Sequence, residues 1–482
     1  MSGPDFLALL PLVLVSAMPV VVMLAIAFFR DHVLAAALTL LGLLVCFASL
    51  PFAASYAPRH ITPLLIIDNY ALFYMGLIFA ATFAVAVLSY SYLGMLRVRR
   101  EEFYVLLLLA AAGSSVLVAS AHFASFFLGL ETLSVSLYAL VSYPSSREKA
   151  IEAGVKYLVL AAVSSAFLLF GMALVYGQLG TMEFSGIAEG AAGLRAASPA
   201  FLGAIALIVV GFGFKLAVAP FHMWTPDVYE GAPAPVSAFV ATVSKGAVFA
   251  LFLRYFARVD IHQMGSLVLA ATVISIASMF TGNLLALLQQ NVKRILAYSS
   301  IAHLGYLVVA FLASGALRVT AVSYYLVSYF IAMLGAFGVV SVLSGREGDA
   351  VDLDAYRGLS SRRPFITGVF SAMLFSLAGI PLTAGFIGKF YVIAAGAGSA
   401  LWLLISMLVV NSAIGVYYYI RVIITMYSAR AEGETAETAL SKGAVSLGGG
   451  LLLAALTLGL VWLGVYPSPL VSLIQKTIQG LR

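Results

Sequence analysis

Long apolar runs separated by short polar connections set the pattern of the chain. A run of about 20 apolar residues can cross a bilayer as a helix. The pattern predicts fourteen spans: 6–29, 33–53, 70–93, 103–120, 122–142, 150–177, 198–230, 234–257, 264–283, 292–313, 319–343, 364–398, 400–427 and 443–466. The seventh and twelfth are interrupted by proline and glycine. The longest connections are 178–197 and 344–363, and the second is charged. No low-complexity linker divides the chain. The expected fold is an all-α polytopic membrane protein, one domain over 1–482. Within it, spans 1–3 occupy 1–100, a five-helix unit 103–257, a second, inverted five-helix unit 264–427, and span 14 with its tail 443–482.

The two broken spans are five crossings apart, so they run in opposite directions. Each places its break beside a lysine: Lys215 before Pro220, and Gly379, Pro381 and Gly385 before Lys389. Paired interruptions at matching positions point to an inverted repeat with a transport site at the repeat interface. The plainer reading is that proline is common in membrane helices. Pro220 cannot donate to Leu216, and its ring crowds that carbonyl. The freed carbonyl is expected beside Lys215, a polar site that protein or a water-filled cavity must surround.

Composition supports this reading. Of the 482 residues 63% are hydrophobic and 10% charged, against roughly 25% charged in soluble domains. The N-terminus has no basic n-region or clear cleavage site, so the first span is expected to be retained. Cys46 is the single cysteine, which excludes a cysteine-ligated iron–sulfur cluster within the chain; it reads as packing. The net charge of +6 is spread over short loops and does not suggest nucleic acid. Of the 26 lysines and arginines, fourteen follow odd-numbered spans, including Arg97, Arg430 and Lys442. Seven lie on the other side: Arg59, Arg195, Arg254, Arg258, Arg318, Lys476 and Arg482. This bias puts the odd loops in the cytoplasm and both termini outside.

The remaining five, Lys156, Lys215, Lys245, Lys389 and Arg421, fall within spans. A charge at mid-bilayer costs about 3 kcal/mol on insertion scales. Glu131 is the one carboxylate deep in a span, with Ser134 and Tyr138 on its face by helical spacing. One buried carboxylate among buried ammoniums suggests a Glu131–Lys215 ion pair followed by a lysine chain; a static salt bridge is the alternative. Burial disfavours a charged ammonium and a nearby carboxylate favours it. Moving a partner charge would therefore load or unload Lys215, with Lys245 and Lys389 accepting in turn. His303 could bridge them, or be a hydrogen-bonded packing residue. Lys156, six residues into its span, either snorkels or tunes Glu131. His222 either relays protons or caps freed carbonyls. Asp227 and Glu230 read as loop-shaping, Arg421 as a cytoplasmic anchor and His122 as interfacial. Lys293 and Arg294 read as snorkelling, with proton uptake the alternative.

With these residues in place, FHMWTPDVYEGAPAPVSAF followed by VSKGA resembles the signature of the antiporter-like (Mrp-type) membrane subunits of respiratory complex I. FLGLETLSVSLYALV, EAGVKYLVL, NVKRILAYSSIAHLGY, DLDAYRGLSSRRP and GIPLTAGFIGKFYV extend the resemblance over nearly the whole chain. It is most similar to the N-type branch: lysine stands in SKGA and at position 389, and little chain follows span 14 for a long lateral helix. Ala234 replaces a threonine frequent in the motif. The resemblance implies proton translocation driven by quinone reduction elsewhere, with Glu131 and Lys215 as a pair, Lys245 as central relay and Lys389 near the exit. It implies no cofactor in this chain. NADH, FMN, iron–sulfur clusters and quinone would belong to partner subunits. The partners would be antiporter-like paralogues and small membrane subunits, with lipid around them, in a bacterial inner membrane. Competing expectations are a subunit of a multisubunit Na+/H+ antiporter, or of a ferredoxin- or hydrogenase-linked pump. An inert scaffold would tolerate Lys215→Ala.

Overall fold

The computed structural model describes residues 2–96, 98–193, 198–259, 262, 264–346, 348–429 and 445–478. Arg97, Arg195, Arg430, Lys442 and Arg482 lie outside the described residues. The helices are α1 Gly3–Phe28, α2 His32–Ala54, α3 Asn69–Met95, α4 Glu102–Ala119, α5 Phe123–Val141, α6 Glu148–Leu179, α7 Phe184–Gly193, α8 Pro199–Leu216, α9 Trp224–Gly231 and α10 Ala234–Phe239. They continue with α11 Lys245–Arg258, α12 Gly265–Leu287, α13 Val292–Leu312, α14 Ala316–Leu343, α15 Leu359–Arg362, α16 Pro364–Ala378, α17 Ala384–Gly398, α18 Trp402–Tyr427, α19 Leu447–Val465 and α20 Ser468–Ile478. Among the described residues, thirteen helices are long and apolar enough to cross a membrane, α10–α11 counting as one. The shorter apolar pair α16 and α17 supplies the remaining crossing. The protein is a multi-pass membrane protein.

Ala234–Arg258, α13 and α14 are buried on nearly every side, as helices apolar all round should be. The helices α1, α2, α6, α12, α18 and α19 each leave one apolar face uncovered. Cys46 is fully buried and free. Several elements were not visible as sequence pattern. The connection after α2 forms a hairpin, β1 Arg59–Ile61 antiparallel to β2 Leu65–Ile67, with Arg59 opposite Ile67. The 178–197 connection contains α7, and the tail after α19 folds into the amphipathic α20. Val240–Ser244 between α10 and α11 winds as a π turn, immediately before Lys245.

Both breaks are built alike. Ala217 ends α8 with φ 58°, and Gly379 ends α16 with φ 83°. The amide of Val218 returns to the Gly213 carbonyl at 3.0 Å, and that of Ile380 to Phe375 at 3.0 Å. These six-residue closures satisfy orphan carbonyls at a left-handed helix end. Pro220 and Pro381 then follow, where neither helix could have continued.

Candidate functional site

The sequence-predicted lysines are buried within the helix bundle, but not as a chain of ion pairs. Glu131 on α5 is half-buried and accepts from Ser165 Oγ of α6 at 2.6 Å. Lys215, in the last turn of α8, donates to Ser134 Oγ at 2.7 Å. Ser134 lies three residues beyond Glu131, on the same face of α5. The expected Glu131–Lys215 ion pair is therefore corrected: the two do not approach within 4.0 Å, and each is held by a serine. A four-carbon stem anchored on α8 reaches the next turn of α5 before it reaches the carboxylate.

Beyond Lys215, the stacked rings of Tyr157 and Trp224 lie 4.7 Å apart. Lys245 Nζ faces the Tyr229 ring at 5.3 Å and the Trp224 ring at 6.0 Å, cation–π distances. Its hydrogen bond runs to Ser300 Oγ of α13 at 2.7 Å. Tyr329 of α14 donates to the same oxygen at 2.7 Å. One turn along α13, His303 contacts Tyr325 through Nδ1 at 2.6 Å and Tyr419 through Nε2 at 3.1 Å. Tyr419 returns to Ser299 at 2.5 Å. His303 thus hydrogen-bonds neither lysine; Tyr419 links it to Ser299, while Tyr329, which bonds Ser300, meets its ring at 5.5 Å. It also lines a cavity of about 10 Å³ with Ser328 and Gly385, about the room one water centre takes.

Lys389, on α17, donates to the Ala378 carbonyl at 2.8 Å and to Ser412 Oγ of α18 at 2.6 Å, with the Tyr306 ring at 5.4 Å. Ala378 is the last residue of α16, so Lys389 reaches back across the break. Two glycines make this possible. A Cβ on Gly385 would overlap the Ser376 backbone carbonyl, and one on Gly379 would fall 2.7 Å from Lys389 Cδ.

Lys215, Lys245, His303 and Lys389 are all at least nine-tenths buried. Among the described residues none of the three lysines has a carboxylate within 4.0 Å. Their polar partners are serine hydroxyls, joined for Lys389 by a carbonyl. A hydroxyl accepts from an ammonium or donates to an amine. Each lysine–serine bond therefore survives gain or loss of a proton, which a carboxylate partner would resist.

The weaker candidates separate. Lys156 is exposed and pairs with Glu152 at 2.7 Å and Asp227 at 2.8 Å; it makes no contact with Glu131, and it ties α6 to α9. His222 is buried, and its Nδ1 has no hydrogen-bond partner among the described residues. In the last turn of α8 the Phe214 carbonyl accepts from the Ala217 amide and from Trp224 Nε1, both at 2.9 Å. Asp227 and Glu230 do more than shape a loop, since both pair with Arg294, at 2.9 and 3.0 Å. Lys293 does not snorkel. Fully buried, it donates to Asp349 at 2.6 Å, to the Glu230 carbonyl at 3.0 Å and to the Ala232 carbonyl at 2.5 Å. Arg421 donates to the Leu287 and Gln289 carbonyls at the end of α12. His122 caps α5 through Nδ1.

Arg254 is the clearest misreading. It is no loop cation: on α11 it forms two 2.8 Å bonds to Asp68, the residue capping α3, with both side chains almost wholly buried. Asp68 carried no sequence signal beyond that of a helix cap.

Comparison with known proteins places this geometry. Residues 120–415 match the family described as NADH:quinone oxidoreductase/Mrp antiporter, TM. Proteins named NADH-quinone oxidoreductase subunit N from Nitrosospira multiformis and Ectopseudomonas mendocina are 52% and 48% identical to this chain. The alignments cover 99% and 98% of it and 97% of each relative. The chain belongs to the NADH-quinone oxidoreductase subunit N family. Every candidate from Glu131 to Lys389 falls inside the matched segment. A chain of respiratory complex I from Thermus thermophilus, solved with bound aureothin, superposes with TM-score 0.83 at 33% identity, covering 97% of this chain and 100% of that one. A chain of the archaeal membrane-bound sulfane sulfur reductase (TM-score 0.83, 24% identity, 99% of this chain and 97% of that one) shares the fold. So does one of the Mrp complex from Dietzia sp. DQ12-45-1b (TM-score 0.86, 19% identity, 100% and 98%). The architecture alone does not separate the subunit N family from antiporters; the near-full-length identity does.

Proposed function

We propose that this chain is a proton-translocating, antiporter-like subunit in the membrane arm of an NADH-quinone oxidoreductase. It works beside the other membrane-arm subunits and moves protons along Glu131, Lys215, Lys245, His303 and Lys389. The observation that carries this reading is the partner set of the three buried lysines, hydroxyls that bond either protonation state. A static structural pair would need a carboxylate, as Arg254 has in Asp68. A proton shift at Glu131 changes the field at Lys215 one helical turn away. Lys215 then passes its proton towards Lys245, past the Tyr157–Trp224 stack. His303, with one ring nitrogen able to accept while the other donates, connects Ser299, through Tyr419, to the region of Lys389.

In this reading the chain is a non-redox part of the translocase. NADH, FMN, iron–sulfur clusters and quinone belong to partner subunits, and quinone reduction there supplies the charge movement. His222, with Nδ1 free, is a side member of the relay, and Lys156 a tether. The matching caps at Ala217 and Gly379 support an inverted repeat of 103–257 and 264–427 around the relay. The excess of basic residues in odd loops supports both termini lying on the non-cytoplasmic side of a bacterial inner membrane. The test is Lys245→Ala in membrane vesicles. Loss of NADH-driven pumping in an assembled complex is expected. Sodium-for-proton exchange by the wild-type chain without NADH–quinone activity would favour the antiporter reading instead.

A further inference from the structure

A cavity of about 540 Å³ lies away from the relay, between α2, α3, α14 and α20, a volume typical of small-ligand sites. Phe47, Leu50, Phe73, Leu77 and Leu473 form its walls. Phe47 and Leu473 are half exposed, so the groove opens sideways to the bilayer. Its polar lining gathers at one end. Asn69 is the first residue of α3, and Lys476 and Thr477 belong to α20. Lys476 is the one charged residue in the lining, is exposed, and makes no ion pair with a described residue. From Asn69 to Ala80, the deepest lining residue of α3, the wall runs about 16 Å at 1.5 Å per residue. That is roughly half of a hydrocarbon core about 30 Å thick.

The groove therefore starts at the membrane interface and ends near the midplane, with a cation at the interface and carbon below. The amphipathic α20 closes one side, as interfacial helices do with their apolar face at the headgroup boundary. We propose that this groove is a binding site for one anionic phospholipid, an acyl chain lying along α3 and the phosphate at Lys476 and the Asn69 amide. The depth of one leaflet and a single cation at the mouth, without an ion pair among the described residues, favour a lipid over a protein segment, which would span both leaflets or bring its own polar backbone. No proton-transfer residue of the proposed relay lines the groove, so lipid binding there is independent of that function.

The experiment is photolabelling of the purified complex in vesicles, using phosphatidylglycerol or phosphatidylcholine with a diazirine in the acyl chain. Labelled peptides are mapped by mass spectrometry. Labelling should fall on 47–80 and 470–477 and be about fivefold stronger with phosphatidylglycerol, since one basic residue near the surface contributes roughly 1 kcal/mol. Lys476→Glu should abolish the preference, and Gly76→Leu, which fills the groove, should abolish the labelling. If Gly76→Leu prevents assembly, Ala80→Leu serves the same purpose. Equal labelling by both lipids would overturn the headgroup assignment. Absent labelling, with cross-links from 470–477 to a neighbouring subunit, would overturn the lipid site altogether.

Discussion

Gly379→Ala tests whether the break in the twelfth span exists to place Lys389. The backbone there has φ 83°, and a left-handed conformation costs a non-glycine residue about 1–2 kcal/mol. The new Cβ would also lie 2.7 Å from Lys389 Cδ and 3.1 Å from Nζ, so the lysine must leave. Leaving breaks its bonds to Ala378 and Ser412, each worth about 1.5–3 kcal/mol as a charge-assisted bond. The substitution should lower the Tm of the assembled complex and sharply reduce NADH-driven proton uptake into inverted vesicles. Gly368→Ala is the control, since that glycine of α16 meets nothing within 4 Å and alanine is the better helix former. In a double-mutant cycle with Lys389→Ala, the clash disappears and Gly379→Ala should retain only its backbone cost, a coupling of the kind expected for residues in contact. Additive effects, or normal pumping by Gly379→Ala, would refute the reasoning.

Asp68→Asn should destabilise the complex by about 3–5 kcal/mol, because it strips the charge partner from buried Arg254; thermal unfolding measures it, and an unchanged Tm would contradict the burial of the pair. Lys293→Met removes donors to Glu230, Ala232 and Asp349, so less complex should assemble in the membrane. The protons pumped per electron in what does assemble should stay at the wild-type value, and a fall in that ratio would return Lys293 to a proton-uptake role.

Much of the fold was legible because the bilayer reduces it to counting apolar runs. The breaks were legible because a proline beside glycine or lysine contradicts its own surroundings: Pro220 and Pro381 stand within a few residues of the two helix ends. Burial of Lys215, Lys245 and Lys389 was legible because each sits far from both ends of an apolar run. Their partners were not. Helical spacing put Ser134 on the face of Glu131, but serine is tolerated almost anywhere in a membrane helix, so nothing in the sequence marks Ser300 and Ser412, or assigns Ser134 to Lys215 in place of the expected carboxylate contact. Arg254 was misplaced because it lies four residues from a helix end, where snorkelling is the local default. Only the tertiary approach of α3, carrying Asp68, turns it inward. The π turn at Val240–Ser244 likewise has no local signature, and its position just before Lys245 emerges only from the packing.

The most direct test of the account is the number of protons pumped per NADH by vesicles carrying Lys215→Ala, with assembly and electron transfer measured on the same membranes. If Lys215 is a carrier, an assembled complex should pump far fewer protons and lose coupled electron transfer with them. Wild-type pumping at wild-type assembly would contradict the account and leave the buried lysines as parts of a scaffold.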